Sequence, residues 1–185
     1  MKPEPANQPT AWHLLQTRPL RVGRLTVSDR ASAGLYEDRS GPEIERIVRQ
    51  SLQLTCEFLT AVVPDDVDRI RTRIQTWADQ DGCDLILTTG GTGITPRDVT
   101  PEATRPLLEK ELPGFGEAMR LHSLPRVPTA ILSRATAGIR GRCLIINLPG
   151  KPSAIAECLD ILRMAILEAL AHLRGLDPHD TRPAT

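Results

Sequence analysis

DLILTTGGTG, at residues 84–93, is the segment of the sequence that most strongly indicates the fold class. Its first part, Asp84 to Thr89, is a short apolar run typical of a strand buried on both faces. The run passes directly into a glycine-rich loop, and a new helix is expected to begin at Thr100. Strand, glycine loop and helix follow one another in this order where open α/β sheets bind ligands at the carboxyl edge.

On either side of this stretch, short apolar runs alternate with longer segments of helical period. The predicted strands are Leu20 to Val27, Cys56 to Val63, Asp84 to Thr89, Thr129 to Arg134 and Arg142 to Asn147, the last two linked through Gly138 and Gly141. The predicted helices begin at Ser40 with a capping box to Glu43, after Asp65 or Asp66 as cap, at Thr100 with Pro101 in first position, at Gly116, and at Pro152. This alternation predicts an α/β fold, with a mainly parallel sheet covered by helices.

A chain of 185 residues with 40% apolar content is enough for one domain with a proper core. We expect that domain at 19–175, between flexible tails at 1–18 and 176–185 that are rich in proline and polar residues. Lys plus Arg and Asp plus Glu both number 23, so no overall field attracts nucleic acid or an anionic membrane. An anionic ligand must therefore be held by local groups.

The cysteines and histidines do not predict a metal centre. The four cysteines lie far apart in the sequence, without the close pairs that a structural zinc site needs. The four histidines do not cluster near the predicted loops, which argues against a histidine triad. No apolar stretch reaches the roughly 20 residues that cross a bilayer, and no signal-peptide pattern is present, so we expect a cytoplasmic protein.

The glycine loop is a candidate phosphate cradle. Its backbone N–H groups can approach an anion closely, and hydroxyl side chains stand beside them. The residues concerned are Thr88, Thr89, Gly90, Gly91, Thr92 and Gly93. Neither the Walker A pattern nor the dinucleotide-binding glycine pattern is present. The alternative interpretation is a tight turn between strand and helix.

Two aspartates follow strands on the same predicted edge. Asp98 lies five residues after Gly93, where a carboxylate beside a phosphate cradle is a natural Mg²⁺ ligand. It could instead tie its loop down through backbone amides. Asp65 follows the second strand and is a second candidate, although an aspartate between strand and helix often serves only as an N-cap.

Further polar residues are expected at this edge. Ser28 and Asp29 close the first strand and could bind a ligand or order their own loop. Lys151 places a cation beside a glycine turn and a helix N-terminus, which favours a phosphate, although it could be a surface residue. Ser133 has no partnered histidine and is expected to form hydrogen bonds, not to act as a nucleophile.

Together these motifs resemble the MogA and gephyrin G-domain family of molybdopterin adenylyltransferases, which is related to MoaB-type proteins. The resemblance extends from roughly Arg21 to Leu173. The matching motifs are Ser28 to Ser32, Pro64-Asp65, Thr88 to Gly93 followed by Asp98 to Glu102, Pro113 to Glu117, Pro128 to Arg134, and Asn147 to Ser153. The fold it implies is a three-layer α/β/α sandwich.

The resemblance implies a function and assigns roles to the site residues. AMP would pass from Mg-ATP to the terminal phosphate of molybdopterin, with release of pyrophosphate. Asp65 and Asp98 would be catalytic and would hold Mg²⁺. The glycine loop would bind molybdopterin together with Ser133, Asn147, Pro149, Gly150, Lys151 and Ser153. The family also implies a homotrimer that hands its product to a MoeA-like molybdenum insertase.

Two other functions remain as alternatives. The insertase reaction itself would need accessory domains that this chain lacks. A non-catalytic pterin-binding or assembly protein would keep the glycine cradle but lose the magnesium carboxylates, whereas both Asp65 and Asp98 are present.

Overall fold

The computed structural model describes residues 15–176. The strands are β1 (Leu20–Val27), β2 (Cys56–Val63), β3 (Leu85–Thr89), β4 (Lys110–Glu111), β5 (Ala137–Arg140) and β6 (Cys143–Leu148). The α-helices are α1 (Asp29–Ser32), α2 (Ser40–Leu52), α3 (Val67–Gln75), α4 (Thr100–Thr104), α5 (Pro113–Ser123) and α6 (Pro152–Leu173). A π-helical turn (Thr76–Gln80) and 3₁₀ turns (Arg105–Leu107 and Pro128–Leu132) complete the elements.

The strands form one sheet in the order β2-β1-β3-β6-β5-β4. The first four strands in this order are parallel, whereas β5 and β4 are antiparallel to their neighbours. The carboxyl ends of β1, β2, β3 and β6 therefore meet at one edge of the sheet. The order along the chain reverses at β1 and β3, which is where open α/β sheets form a ligand crevice.

Hydrophobic cores lie on both faces of this sheet. One core joins α2, α5 and α6 to alternate residues of β1, β3 and β6, including Leu85, Leu87 and Ile146. The other core packs α3 and Trp77 against residues that point the opposite way, such as Ile86. The predicted three-layer α/β/α sandwich with a mainly parallel sheet is thus confirmed. Within residues 15–176, no helix is both long and apolar enough to cross a membrane.

The predicted strand at Thr129 to Arg134 is wrong. Residues Pro128–Leu132 form a 3₁₀ turn, and Ile131 is 66% exposed because no sheet edge receives it. The place beside β6 is taken by β5, which pairs antiparallel with β6 around the turn at Gly141. The sequence pattern predicts a linker at the β5 residues, since Gly138 resembles a turn residue.

Three predicted helix starts also need correction, and one of them is α5, which begins at Pro113 and not at Gly116. Ser40 does not cap α2; it lies inside the helix, and its hydroxyl donates to the Gly150 carbonyl at 2.7 Å. Thr100 is likewise the first residue of α4, which follows Val99 without a side-chain cap. Each of these two hydroxyls instead joins the first residue of a helix to a loop. By contrast, Asp66 caps α3 as one of the two predicted candidates, accepting from the Arg69 amide at 2.9 Å.

An ion-pair network ties the two ends of the described chain to β3. Asp84 accepts hydrogen bonds from Arg18 and Arg174, each at 3.0 Å, and from the Arg21 amide. Leu15 is also buried in the core. Residues 15–18, part of the predicted N-terminal tail, therefore pack on the domain; the remaining tail predictions concern residues 1–14 and 177–185, which lie outside the described residues.

We predict that Arg174→Met lowers the free energy of unfolding by about 3 kcal/mol at pH 7, because it leaves the Asp84 carboxylate buried with one partner fewer. Burial alone would raise the pKa of Asp84, but its hydrogen bonds outweigh burial and lower that pKa. Since the folded-state pKa lies below the unfolded value of about 3.9, the stabilisation is complete above about pH 5 and is lost as the pH falls.

Urea unfolding at pH 7 and at about pH 3 tests this prediction. Arg105→Met, at an exposed position, is the control and should change stability by less than about 0.5 kcal/mol. Equal losses for the two variants at pH 7 would refute the role of the network.

Candidate active site

The glycine loop leaves β3 through two residues in the left-handed region, Gly90 at φ 95° and Gly91 at φ 62°. A Cβ atom at Gly90 would overlap the Val27 carbonyl oxygen, and one at Gly91 would overlap the Thr100 hydroxyl. Side chains other than hydrogen are therefore unfavourable here on two counts, strain and space. The loop packs closely between β1 and α4.

A buried chain of hydrogen bonds supports this loop from below. The Thr100 hydroxyl donates to the Gly90 carbonyl at 2.8 Å, and the Thr104 hydroxyl donates to the Thr100 carbonyl at 2.8 Å. The Asn147 amide donates to the hydroxyls of Thr88 and Thr104, each at 3.0 Å. Asn147 and Thr88 are fully buried, so their side chains hold the loop in place and do not face solvent.

The loop after β6 is joined to the glycine loop in the same way. The Thr89 hydroxyl donates to the Pro149 carbonyl at 2.8 Å. Gly150 packs against Gly90, where a Cβ atom on Gly150 would lie 3.4 Å from the Gly90 Cα. The two loops are thereby fixed side by side, and Thr89 itself is 1% exposed.

Asp29 and Asp65 form a reciprocal pair after β1 and β2. The Asp65 carboxylate accepts from the Asp29 amide at 2.8 Å, and the Asp29 carboxylate accepts from the Asp65 amide at 3.0 Å. Asp65 Oδ1 would lie 3.2 Å from a Cβ atom on Gly91. Asp66 caps α3, so the Asp65 carboxylate is not used as a helix cap and lies beside the glycine loop. Ser28, before them, caps α1 by accepting from the Ala31 amide.

Arg97 completes this cluster from the loop that follows Gly93. Its guanidinium forms a bidentate ion pair with Asp29, with Nε and Nη2 donating at 2.9 and 2.7 Å. Hydrogen bonds from Arg97 lower the pKa of Asp29, whereas partial burial raises the pKa of Asp65. Two neighbouring carboxyl groups are thus shifted in opposite directions.

Asp98 lies further along the glycine loop, beside Gly93. Its Oδ2 accepts from the Thr95 amide at 2.8 Å and from the Thr95 hydroxyl at 2.6 Å. The same atom would lie 2.9 Å from a Cβ atom on Gly93. Burial opposes ionisation of Asp98, but hydrogen bonds from Thr95 and Gly93 outweigh it and lower the pKa. Asp98 thus ties its loop down and also presents an ionised carboxylate beside the glycine loop.

Arg134 links these loops to the segment that contains Ser133. Its Nε donates to the Gly93 carbonyl at 2.6 Å, and its Nη2 donates to the Asp98 carbonyl. Nη1 pairs with Glu102 on α4, and the Arg134 amide donates to the Thr92 carbonyl at 2.9 Å. A single side chain therefore fixes both ends of the loop between Gly93 and Asp98.

A cavity of about 310 Å³ opens beside this arrangement, between α5, α6 and the 3₁₀ turn at Pro128–Leu132. Of the predicted binding residues, Ser133, Pro149, Lys151 and Ser153 line it. Lys151 is exposed at the position preceding α6. Gly90 and Gly150 line a smaller cavity of about 160 Å³, together with residues that include Ser28 and Thr89.

Some residues that shape the site were not predicted as site residues. Arg97 and Arg134 carry much of its charge, and Thr100 and Thr104 support the loop. These two arginines lie far apart in the sequence and form no local pattern. Their role in the site is therefore visible only in the structure. Among residues 15–176, no group of three or more metal-binding side chains is close enough to hold a metal ion by itself.

This fold and site define an α/β protein with a glycine loop and neighbouring carboxylates at the carboxyl edge of its sheet. The chain belongs to the family described as probable molybdopterin binding domain, which residues 23–169 match. The resemblance to MogA and gephyrin is thereby confirmed.

Relatives and solved structures agree with this family. The molybdopterin adenylyltransferase of Helicobacter pylori is 52% identical over 147 residues, which are 80% of this chain and 84% of that protein. The enzyme of the same name from Escherichia coli K12 is 44% identical over 153 residues, 83% of this chain and 78% of that protein. The structure of the molybdopterin biosynthesis enzyme MoaB from Thermus thermophilus is similar, with a TM-score of 0.78 and 44% identity, covering 84% of this chain and 97% of that one.

We predict that Gly91→Ala lowers the free energy of unfolding by about 1–3 kcal/mol, because alanine is strained in the left-handed region and its Cβ meets the Thr100 hydroxyl. Gly114→Ala is the matched control, since a Cβ atom there meets open space inside a helix and should stabilise by up to about 1 kcal/mol. Urea unfolding compares the two variants. If both unfold at the wild-type midpoint, the glycine loop is not restricted as described.

Proposed function

We propose that this protein is a molybdopterin adenylyltransferase, which transfers AMP from Mg-ATP to the terminal phosphate of molybdopterin and releases pyrophosphate. The main support for the proposal is a glycine loop that contacts the carboxylates of Asp65 at Gly91 and Asp98 at Gly93, next to a cavity that includes Lys151. Relatives 44–52% identical that bear this enzyme's name support it.

The two substrates occupy opposite sides of the glycine loop in this proposal. The 310 Å³ cavity receives the pterin, with Ser133 and Ser153 as hydrogen-bonding groups and Lys151 as a cation for the terminal phosphate. The acidic side, formed by Asp29, Asp65 and Asp98, receives the triphosphate of ATP. The backbone amides of the loop then face the region where the two phosphates meet.

The residues on the acidic side fit a magnesium ion that arrives with the nucleotide. Mg²⁺ is usually held by one or two carboxylates together with phosphate oxygens and water, so a complete protein cage is not required. Asp65 and Asp98 supply two such carboxylates, one beside Gly91 and one beside Gly93. When bound there, Mg²⁺ would neutralise phosphate charge during the transfer.

The protein's own residues align the reacting groups. The terminal phosphate of molybdopterin attacks the α-phosphorus of ATP, a P–O bond to this phosphorus forms, and the bond to pyrophosphate breaks. Arg134 and Thr100 keep the glycine loop rigid, so its amides are already oriented where charge is redistributed. Thr88 and Asn147 contribute by supporting the loop from below. No side chain needs to form a covalent intermediate.

The proposal extends to assembly and location. We place the reaction in the cytoplasm, where ATP is available, with the protein acting as a homotrimer. Adenylylated molybdopterin is an activated compound, and we propose that a MoeA-like insertase consumes it, hydrolysing the bond to AMP as molybdate enters. Exposed apolar residues on α5 and the following turn, including Leu121 and Ile131, provide surface for association.

The experiment supplies purified protein with molybdopterin, Mg²⁺ and ATP, follows pyrophosphate release, and identifies the adenylylated pterin by mass spectrometry. Pyrophosphate that depends on the pterin is the expected result. Tight pterin binding with neither product would contradict the proposal and favour the non-catalytic carrier.

We predict that Asp98→Asn and Asp65→Asn each lower kcat/KM by about 100-fold or more while the fold is retained, because each removes a charge beside the reacting phosphates. In the first variant, the new side-chain amide oxygen can still accept the hydrogen bonds from Thr95. Asp66→Asn is the matched control: it makes the same charge change next to Asp65, and asparagine caps a helix as well as aspartate does. Wild-type turnover in Asp98→Asn or Asp65→Asn, or an equal loss in Asp66→Asn, would show that the assignment is wrong.

A further inference from the structure

The 310 Å³ cavity contains one carboxylate among the described residues that line it, Glu157 of α6. Its neighbours on the cavity wall are mainly apolar, with Met119, Val127 and Ala130 among them. Glu157 lies six residues after Lys151, which corresponds to about 9 Å along the helix axis. The cavity therefore carries a cation near the glycine loop and an anion well away from it.

The Glu157 carboxylate is held from outside the cavity. Arg126, which does not line the cavity, donates from Nη2 to Glu157 Oε2 at 2.9 Å, and the same nitrogen contacts His122 Nε2 at 3.0 Å. The Glu157 side chain is 40% exposed, so its position does not depend on the core. Arg126 thus orients the carboxylate through Oε2, and Glu157 Oε1 has no hydrogen bond among the described residues.

A third charged residue of the cavity, Arg120, is already engaged with the backbone. The Arg120 guanidinium donates to the carbonyls of Ser133 and Ala135, at 3.2 and 3.3 Å. It therefore shapes the wall. Glu157 is the carboxylate of the cavity with unused acceptor capacity, six residues along the chain from Lys151.

A pterin ring matches this placement. The pyrimidine edge of a pterin presents two donors side by side, the 2-amino group and N3–H, and a carboxylate accepts two such hydrogen bonds at once. In molybdopterin this edge lies at the opposite end of the molecule from the phosphate. With the phosphate at Lys151, the two donors extend along α6 in the direction of Glu157.

We propose that Glu157 is a specificity-determining residue that accepts hydrogen bonds from the 2-amino and N3–H groups of the pterin, with the ring against the apolar wall of the cavity. This inference rests on the proposed function, because that function supplies the pterin as substrate. It fixes the orientation of the bound molecule in the cavity, with its phosphate near the glycine loop and its pyrimidine ring at Glu157.

The test compares two ligands that differ in one functional group. The probes are 6-hydroxymethylpterin phosphate and its lumazine counterpart, in which a 2-oxo group replaces the 2-amino group. Ligand fluorescence measures the affinity of each for the wild-type protein and for Glu157→Gln. Asp160→Asn is the control, because Asp160 is exposed on the same helix and does not line the cavity.

Wild-type protein and Asp160→Asn should bind the pterin at least about 10-fold more tightly than the lumazine, since the 2-oxo group faces a carboxylate and loses a charge-assisted hydrogen bond. Glu157→Gln exchanges one acceptor for a donor and should abolish or reverse this preference. Equal affinity of the wild type for both probes, or an unchanged preference in Glu157→Gln, would overturn the inference.

These results are independent of turnover. If the predicted selectivity is found but no pyrophosphate is released from ATP and molybdopterin, the inference stands and the proposed transferase activity does not. If pyrophosphate is released and Glu157→Gln keeps the wild-type preference, the reverse is true.

Discussion

The rest of the site depends on one constraint, the left-handed turn at Gly90 and Gly91 at the end of a completely buried strand. The turn is possible because neither residue has a side chain, and it is fixed because the Thr100 hydroxyl binds the Gly90 carbonyl. The turn brings the loop into contact with Asp65 at Gly91 and with Asp98 at Gly93. A side chain at either glycine would separate the loop from Val27 or Thr100 and would move the amides away from the carboxylates.

The chain has no net charge, so the charges that act on a ligand at this edge of the sheet come from nearby side chains. Three aspartates surround the loop, and Arg97, Arg134 and Lys151 stand among them. Arg97 lowers the pKa of Asp29, while burial raises the pKa of Asp65, so neighbouring carboxyl groups differ in how readily they ionise. Such an arrangement can hold a cation and two phosphates together without a strongly basic surface.

Much of this arrangement could be predicted from the sequence. The parallel strands β1, β2 and β3 have strong apolar patterns, and their order in the chain implies that the residues after them share one edge. Asp29, Asp65 and the glycine loop are expected together for that reason. The positions of Arg97 and Arg134 could not be predicted, because a cation that pairs across loops has no periodicity or spacing that distinguishes it from a solvated one.

The sequence predicts a helix cap at Thr100 because capping and loop support use the same residue type. The strand predicted at Thr129 to Arg134 is wrong for a different reason: pairing is decided by competition for the edge of β6, and β5 takes that edge. The displaced segment instead forms one wall of the cavity and brings Arg134 to the glycine loop.

In the function that we propose, the glycine loop aligns two phosphates for direct transfer, with no adenylylated protein in between. The stereochemistry at the α-phosphorus tests this most directly, using ATP made chiral at that atom by sulfur substitution and analysing the configuration of the adenylylated molybdopterin. One in-line displacement predicts inversion of configuration. Retention would indicate two displacements through a covalent adenylyl-protein intermediate and would rule out direct transfer between the two substrates.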